Sequence, residues 1–265
     1  ALSLDQRYDV VIELLQALEV RGFQFSEIPY YLGRLTISLQ PGELDEILED
    51  LIKQVKQPNP RLIYLLLRTV GFVVENYPKY RENIGEGEQR YHQRLEKMLG
   101  ILLNGLGNFR QQIKQMAFSV ISKEILGSQQ LSLEEKNLVF KLIAKKTLTL
   151  LAKDQKNPLI FLTNAAGLNH IYRYISDYMF FIGDINLKIP DKVAFFPGAF
   201  DPYSLSHKEI TSTIRNMGFE VYLQTDEFSW SKLTLPNLLR RNIVEMSVAD
   251  ELNVYLYPEE EQVNI

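Results

Sequence analysis

The stretch Lys192-Val193-Ala194-Phe195-Phe196-Pro197-Gly198-Ala199-Phe200-Asp201-Pro202-Tyr203-Ser204-Leu205-Ser206-His207 decides how this chain is read. Lys192–Phe196 is a short apolar run closed by Pro-Gly, the pattern of a buried strand. Residues 207–217 read as a helix ended by Gly218. Phe219–Leu223 reads as a second strand. Leu235 to about Ala249 reads as a second helix, with Pro236 acceptable in its first turn. Val254–Tyr257 reads as a third strand. Strand–helix–strand–helix–strand is a parallel α/β unit with right-handed crossovers.

The loop after the first strand carries the chemistry. It leaves a strand and enters a helix, the place where parallel sheets bind ligands. Gly198 allows a close backbone approach. Ser206 with Glu209 forms a capping-box pattern, which would put His207 at the first helical position. There an imidazole and free N–H groups share one space, and the helix dipole favours an anion. On these residues alone, a phosphate site and a purely structural turn are equally good readings.

Working outward, residues 1–188 change period. Val10, Val11, Leu14, Leu15 and Leu18 form one stripe, and Leu44, Ile47, Leu48, Leu51, Ile52 and Val55 another. Further stripes cover about 60–77, 87–106, 108–127, 132–153 and 157–180, each at the spacing of an amphipathic helix. Pro- and Gly-rich turns separate them. The expected architecture is an all-helical bundle or helical array over 1–188, then a Rossmann-like parallel α/β domain over 189–265. His92 reads as a surface residue and His170 as a packed or capping group. The aromatics Tyr172, Tyr174, Tyr178, Phe180 and Phe181 read as core, as a face packed on the next domain, or as a binding face for another protein.

Composition narrows the functions. The 265 residues are 46% hydrophobic and 23% charged, the balance of a folded protein. With no Cys, there is no disulfide scaffold, thiolate metal site or cysteine nucleophile. Three His argue against a multi-histidine metal site. The composition suits a reducing, cytoplasmic compartment. No apolar stretch approaches the roughly 20 residues of a membrane-spanning helix. The net charge is −4, and the acidic excess lies after residue 190. Neither region is a basic surface for nucleic acid. A phosphate ligand in the acidic half needs a few local donors and a divalent cation.

The segment from Phe196 to His207 resembles the signature of the nucleotidyltransferases related to nicotinate/nicotinamide mononucleotide adenylyltransferase, roughly G-[TS]-F-D-P followed by [HT]-x-G-H. Gly198, Phe200, Asp201, Pro202 and His207 match in order and spacing. Trp230-Ser231-Lys232, Pro236, Arg240, Arg241, Met246 and Ala249 resemble the mononucleotide-side segment of the nicotinate enzymes. The resemblance implies transfer of AMP from ATP, with Mg2+, to a mononucleotide, with pyrophosphate leaving. By this resemblance His207 and Ser204 would be catalytic. Pro197, Gly198, Ala199, Phe200, Asp201 and Ser206 would line the nucleotide. Lys232 and Arg240 or Arg241 would hold the mononucleotide phosphate, and Trp230 would stack on its flat ring or anchor its loop on the core.

The chain also departs from that pattern. Ser204 replaces the first His/Thr, Ser206 replaces a Gly and Ala199 replaces a Thr/Ser. Three strands precede Ile265, and an I-S-S-T-x-x-R-like segment is absent from the sequence. Together with a start at Ala1 rather than Met, this reads as a piece of a longer adenylyltransferase, weak or inactive alone. The alternative is a non-catalytic helical interaction module with a degenerate nucleotide-binding domain. The exposed sheet edge and the helical region are the expected surfaces for a homodimer or a protein partner.

Overall fold

In a computed structural model, residues 3–21, 27–151, 158–226 and 235–258 are described. The chain divides into two units, Ala1–Asn186 and Leu187–Ile265.

The first unit is helical: α1 (Leu4–Arg21), α2 (Ile28–Thr36), α3 (Pro41–Gln54), α4 (Pro60–Ile84), α5 (Glu88–Leu106), α6 (Gln111–Ser119), a π-helical segment (Val120–Leu126), α7 (Leu133–Leu151) and α8 (Pro158–Phe181). α4 is the hub, touching α2, α3, α5, α6 and the π-helical segment. Its inward face, including Leu62, Leu66, Leu67, Val70, Val73 and Val74, is buried. Two features were not anticipated from the spacing. α4 continues through Pro78 to Ile84, held by the buried rings of Tyr77 and Tyr80. The stretch expected as one helix over 108–127 changes at Val120 to the wider π form, with the Gly127 amide bonding Ser122 O, five residues back. Within α8 the aromatic run splits by helical phase. Tyr174 and Tyr178 are buried and share Asn137 through hydrogen bonds of 3.3 and 2.8 Å, whereas Tyr172, Phe180 and Phe181 are exposed. His92 and His170 are half-buried.

A polar knot closes α3, α4 and α5. Arg94 is 2% exposed. Its Nε and Nη2 donate to Asp45 at 2.8 and 2.9 Å, and Nη2 also reaches Pro41 O at 2.7 Å. Nη1 meets Glu86, which also accepts from the Tyr77 hydroxyl. Hydrogen bonds from Arg94 hold the Asp45 carboxyl below the usual carboxylate range, against the effect of its partial burial. We predict that Arg94→Ala lowers the unfolding free energy by about 3 kcal/mol or more, because it leaves the buried Glu86 carboxylate without its cation, while Asp45 keeps Arg90. Urea denaturation reads this directly. The Asp45 contribution is full above the unfolded carboxylate's titration range and is lost as pH falls through the depressed native value. Asp45→Asn is therefore expected to lose less stability than the parent between neutral pH and about pH 3.

The second unit contains β1 (Val193–Gly198), α9 (Leu205–Asn216), β2 (Glu220–Thr225), α10 (Asn237–Ser247) and β3 (Val254–Leu256). The strands are parallel in the order β1-β2-β3. Register places Ala194 beside Val221 and Val221 beside Val254, with Phe196, Leu223 and Leu256 likewise aligned. This face meets Ile214 of α9 and Val244 of α10, and Phe200, Val221, Leu223, Val244, Val248 and Val254 form its core. Both crossover helices therefore cover one face. The opposite face carries Phe195, Tyr222 and Tyr255, with successive ring centroids 6.0 and 5.7 Å apart. Among the described residues, no helix is long and apolar enough to cross a membrane.

Candidate nucleotide site

The site lies at the C-terminal end of β1, and packing shapes its loop. Phe200 adopts a left-handed backbone conformation with φ 44°, unusual for a non-glycine residue, and its side chain is 2% exposed. Such a conformation costs on the order of 1 kcal/mol, offset here by burying a phenylalanine ring. A Cβ on Gly198 would lie 3.1 Å from that ring, so Gly198 makes room for Phe200.

The helix start differs from the expected register. The N-cap is Ser204, not Ser206, and α9 begins at Leu205. His207 is therefore the third helical residue, and it reaches back. Its Nδ1 accepts the Ser204 backbone N–H at 3.0 Å and lies 3.0 Å from Ser204 Oγ. The imidazole takes the place that Glu or Gln fills in an ordinary capping box. An accepting Nδ1 puts the ring proton on Nε2. Ser206 is exposed, and Glu209 does not take part in the cap. Among the described residues, the amides of Leu205 and Ser206 have no partner.

Three aromatic rings hold the imidazole. Tyr203 stacks on it at 5.7 Å and 25°, and Phe200 meets it edge-on at 5.2 Å and 82°. Phe196 lies at 6.1 Å. The Tyr203 hydroxyl bonds the buried Thr211 hydroxyl, which donates to His207 O at 2.7 Å. Burial raises the Tyr203 hydroxyl above its ordinary value. Tyr203 and Thr211 are the positioning residues that motif reading passed over. Their signals are adjacency to the cap and a spacing of one helical turn from His207.

The other expected contacts are placed as follows. Asp201 Oδ2 accepts the Leu235 amide at 2.8 Å, joining the loop to the approach to α10. Arg240 is 1% exposed and donates to three backbone carbonyls, those of Ala199, Asp226 and Leu235. Arg241 Nη2 donates to Tyr257 O at 2.8 Å. Pro197 is exposed at the end of β1. Trp230 and Lys232 lie outside the described residues. Among the described residues, no group of three His, Cys, Asp or Glu gathers as a metal site. A magnesium ion fits this donor set only when its ligands are mostly phosphate oxygens and water, with Asp201 as the nearby carboxylate.

No protein-family model matches the chain, and no curated protein or solved structure is significantly similar to it. The resemblance therefore rests on the residues quoted for it, in the β1–α9 segment and between Trp230 and Ala249.

The cap register has a direct test. We predict that Ser204→Ala lowers stability by about 1 kcal/mol through loss of the N-cap, whereas Ser206→Ala stays within about 0.5 kcal/mol of the parent. Equal effects in thermal denaturation would contradict the observed register.

Proposed function

We propose that the β1–α9 loop binds the phosphates of a nucleotide. On the strength of its resemblance to nicotinate/nicotinamide mononucleotide adenylyltransferases, we further propose that it serves transfer of AMP from ATP to a mononucleotide. The observation that carries this reading is the orientation of His207. Ser204 occupies Nδ1, which leaves an Nε2–H donor in the first turn of α9, the turn that also holds the amides of Leu205 and Ser206, which have no partner among the described residues. These groups are a phosphate-binding set, and the helix dipole adds to it. Adenylyl transfer asks for little else from a protein than alignment and charge stabilisation on phosphoryl oxygens. The phosphate of the acceptor forms a bond to the α-phosphorus of ATP as the bond to pyrophosphate breaks. His207 would donate to these oxygens, and Asp201 would orient the loop or meet a magnesium-bound water.

A second reading has its own support. Asp201 and Arg240 are engaged with the scaffold. This favours a site that binds nucleotide without turnover, on a chain whose helical unit serves interaction.

Calorimetric titration with ATP and magnesium tests the shared part of both readings. Saturable binding is expected, weakened about tenfold or more in His207→Ala, the scale of a lost charge-assisted hydrogen bond. Unchanged affinity in the variant would move any nucleotide site away from this loop. Pyrophosphate release on adding nicotinate mononucleotide separates turnover from binding alone.

A further inference from the structure

The helical unit holds a second polar site, where α4 meets the π-helical segment. A pocket of about 370 Å³ opens there, and Arg68, Glu75, Lys123 and Glu124 line it with the rings of Tyr30 and Phe72. Here the wider turn brings Glu124 against α4. A Cβ on Gly71 would lie 2.4 Å from Val120 and 3.0 Å from Glu124 Oε2, so this approach requires glycine.

The charges of this pocket are kept apart. Glu75 accepts a hydrogen bond from Ser128 Oγ at 2.5 Å. Among the described residues, Arg68, Lys123 and Glu124 close no hydrogen bond or ion pair. Glu124 is half-buried, and burial raises its carboxyl against the pull of Arg68 and Lys123. Two cations and two carboxylates, of which Glu124 is partly desolvated, thus surround one cavity without closing an ion pair among the described residues. Tyr30 and Phe72, edge-to-face at 5.0 Å, supply an apolar wall.

A simple anion would meet Glu75 and Glu124 unfavourably, and a simple amine would leave Arg68 and Lys123 unanswered. A small zwitterion answers both. We propose that this pocket binds a free α-amino acid with an apolar side chain. Its ammonium would sit on Glu124, its carboxylate on Arg68 and Lys123, and its side chain on the Tyr30–Phe72 wall. A guanidinium matches a carboxylate in a two-pronged fit, and the cavity lies in the size range of small-ligand sites. The site belongs to the helical unit alone and does not rest on the nucleotide reading.

The test is ligand-observed NMR titration with L-leucine and L-phenylalanine at millimolar concentration, with propionate and propylamine as single-charge controls. Saturable binding of at least one amino acid is expected, and neither control should bind. Glu124→Gln and Arg68→Gln should each weaken binding about tenfold or more. Circular dichroism establishes that the variants fold. If either does not, Lys123→Gln, at an exposed position, provides the comparison. No saturable binding of either amino acid, equal binding of the controls, or unchanged affinity in the folded variants would each overturn the proposal.

Discussion

Removing a guanidinium from water costs several kcal/mol unless its donors find acceptors. Among the described residues, each unit of this protein has one buried arginine that meets that constraint. In the α/β unit, Arg240 engages the carbonyls of Ala199, Asp226 and Leu235, which belong to the loop after β1, the end of β2 and the approach to α10. Asp201 holds the Leu235 amide from the other side. One residue is therefore gripped through both its N–H and its C=O, and the β1–α9 loop is fastened to the crossover that follows. In the helical unit, Arg94 joins α3, α4 and α5 through Asp45, Glu86, Tyr77 and Pro41. Neither arginine is free to leave, because each departure would strand several acceptors.

The geometry of the candidate site follows from that anchoring and from one aromatic side chain. Phe200 turns its backbone into a strained conformation to place its ring in the core beneath the sheet. The same ring packs edge-on against His207 while Tyr203 stacks on it. The imidazole is thus oriented by hydrophobic packing and by Ser204. The placement of its ring is a consequence of the core as much as of the motif. Polar chemistry at the rim and apolar packing below it are two sides of one turn.

The helical unit treats its charges in two ways. Around Arg94 they are buried and fully matched. Around the π-helical segment they are held near one another with no ion pair closed among the described residues, and Glu124 is pressed onto α4 at Gly71. The first arrangement stabilises the packing of three helices. The second leaves electrostatic free energy for a ligand to collect.

Local pattern was enough to read much of this protein. The parallel strands, both crossover helices and most of the long helices follow from apolar periodicity and Gly/Pro punctuation, which depend on neighbours a few residues apart. That Gly198, Asp201 and His207 fall at one strand-to-helix turn was also legible in the β1–α9 segment. The tertiary structure decided the rest. It moved the cap from Ser206 to Ser204, since packing of the folded turn, not the Ser-x-x-Glu spacing, decides which serine caps the helix. It gave Arg240 to three carbonyls that lie 5 to 41 residues away along the chain. It carried α4 through Pro78 and opened the π turn at Val120, because long-range packing of Tyr77, Tyr80 and Gly71 outweighs local propensity there. The sequence by itself determined which elements form and which turn joins the first strand to its helix. Partner choice for each buried polar group was decided only when distant segments met, because hydrogen bonding and desolvation depend on who is near in space.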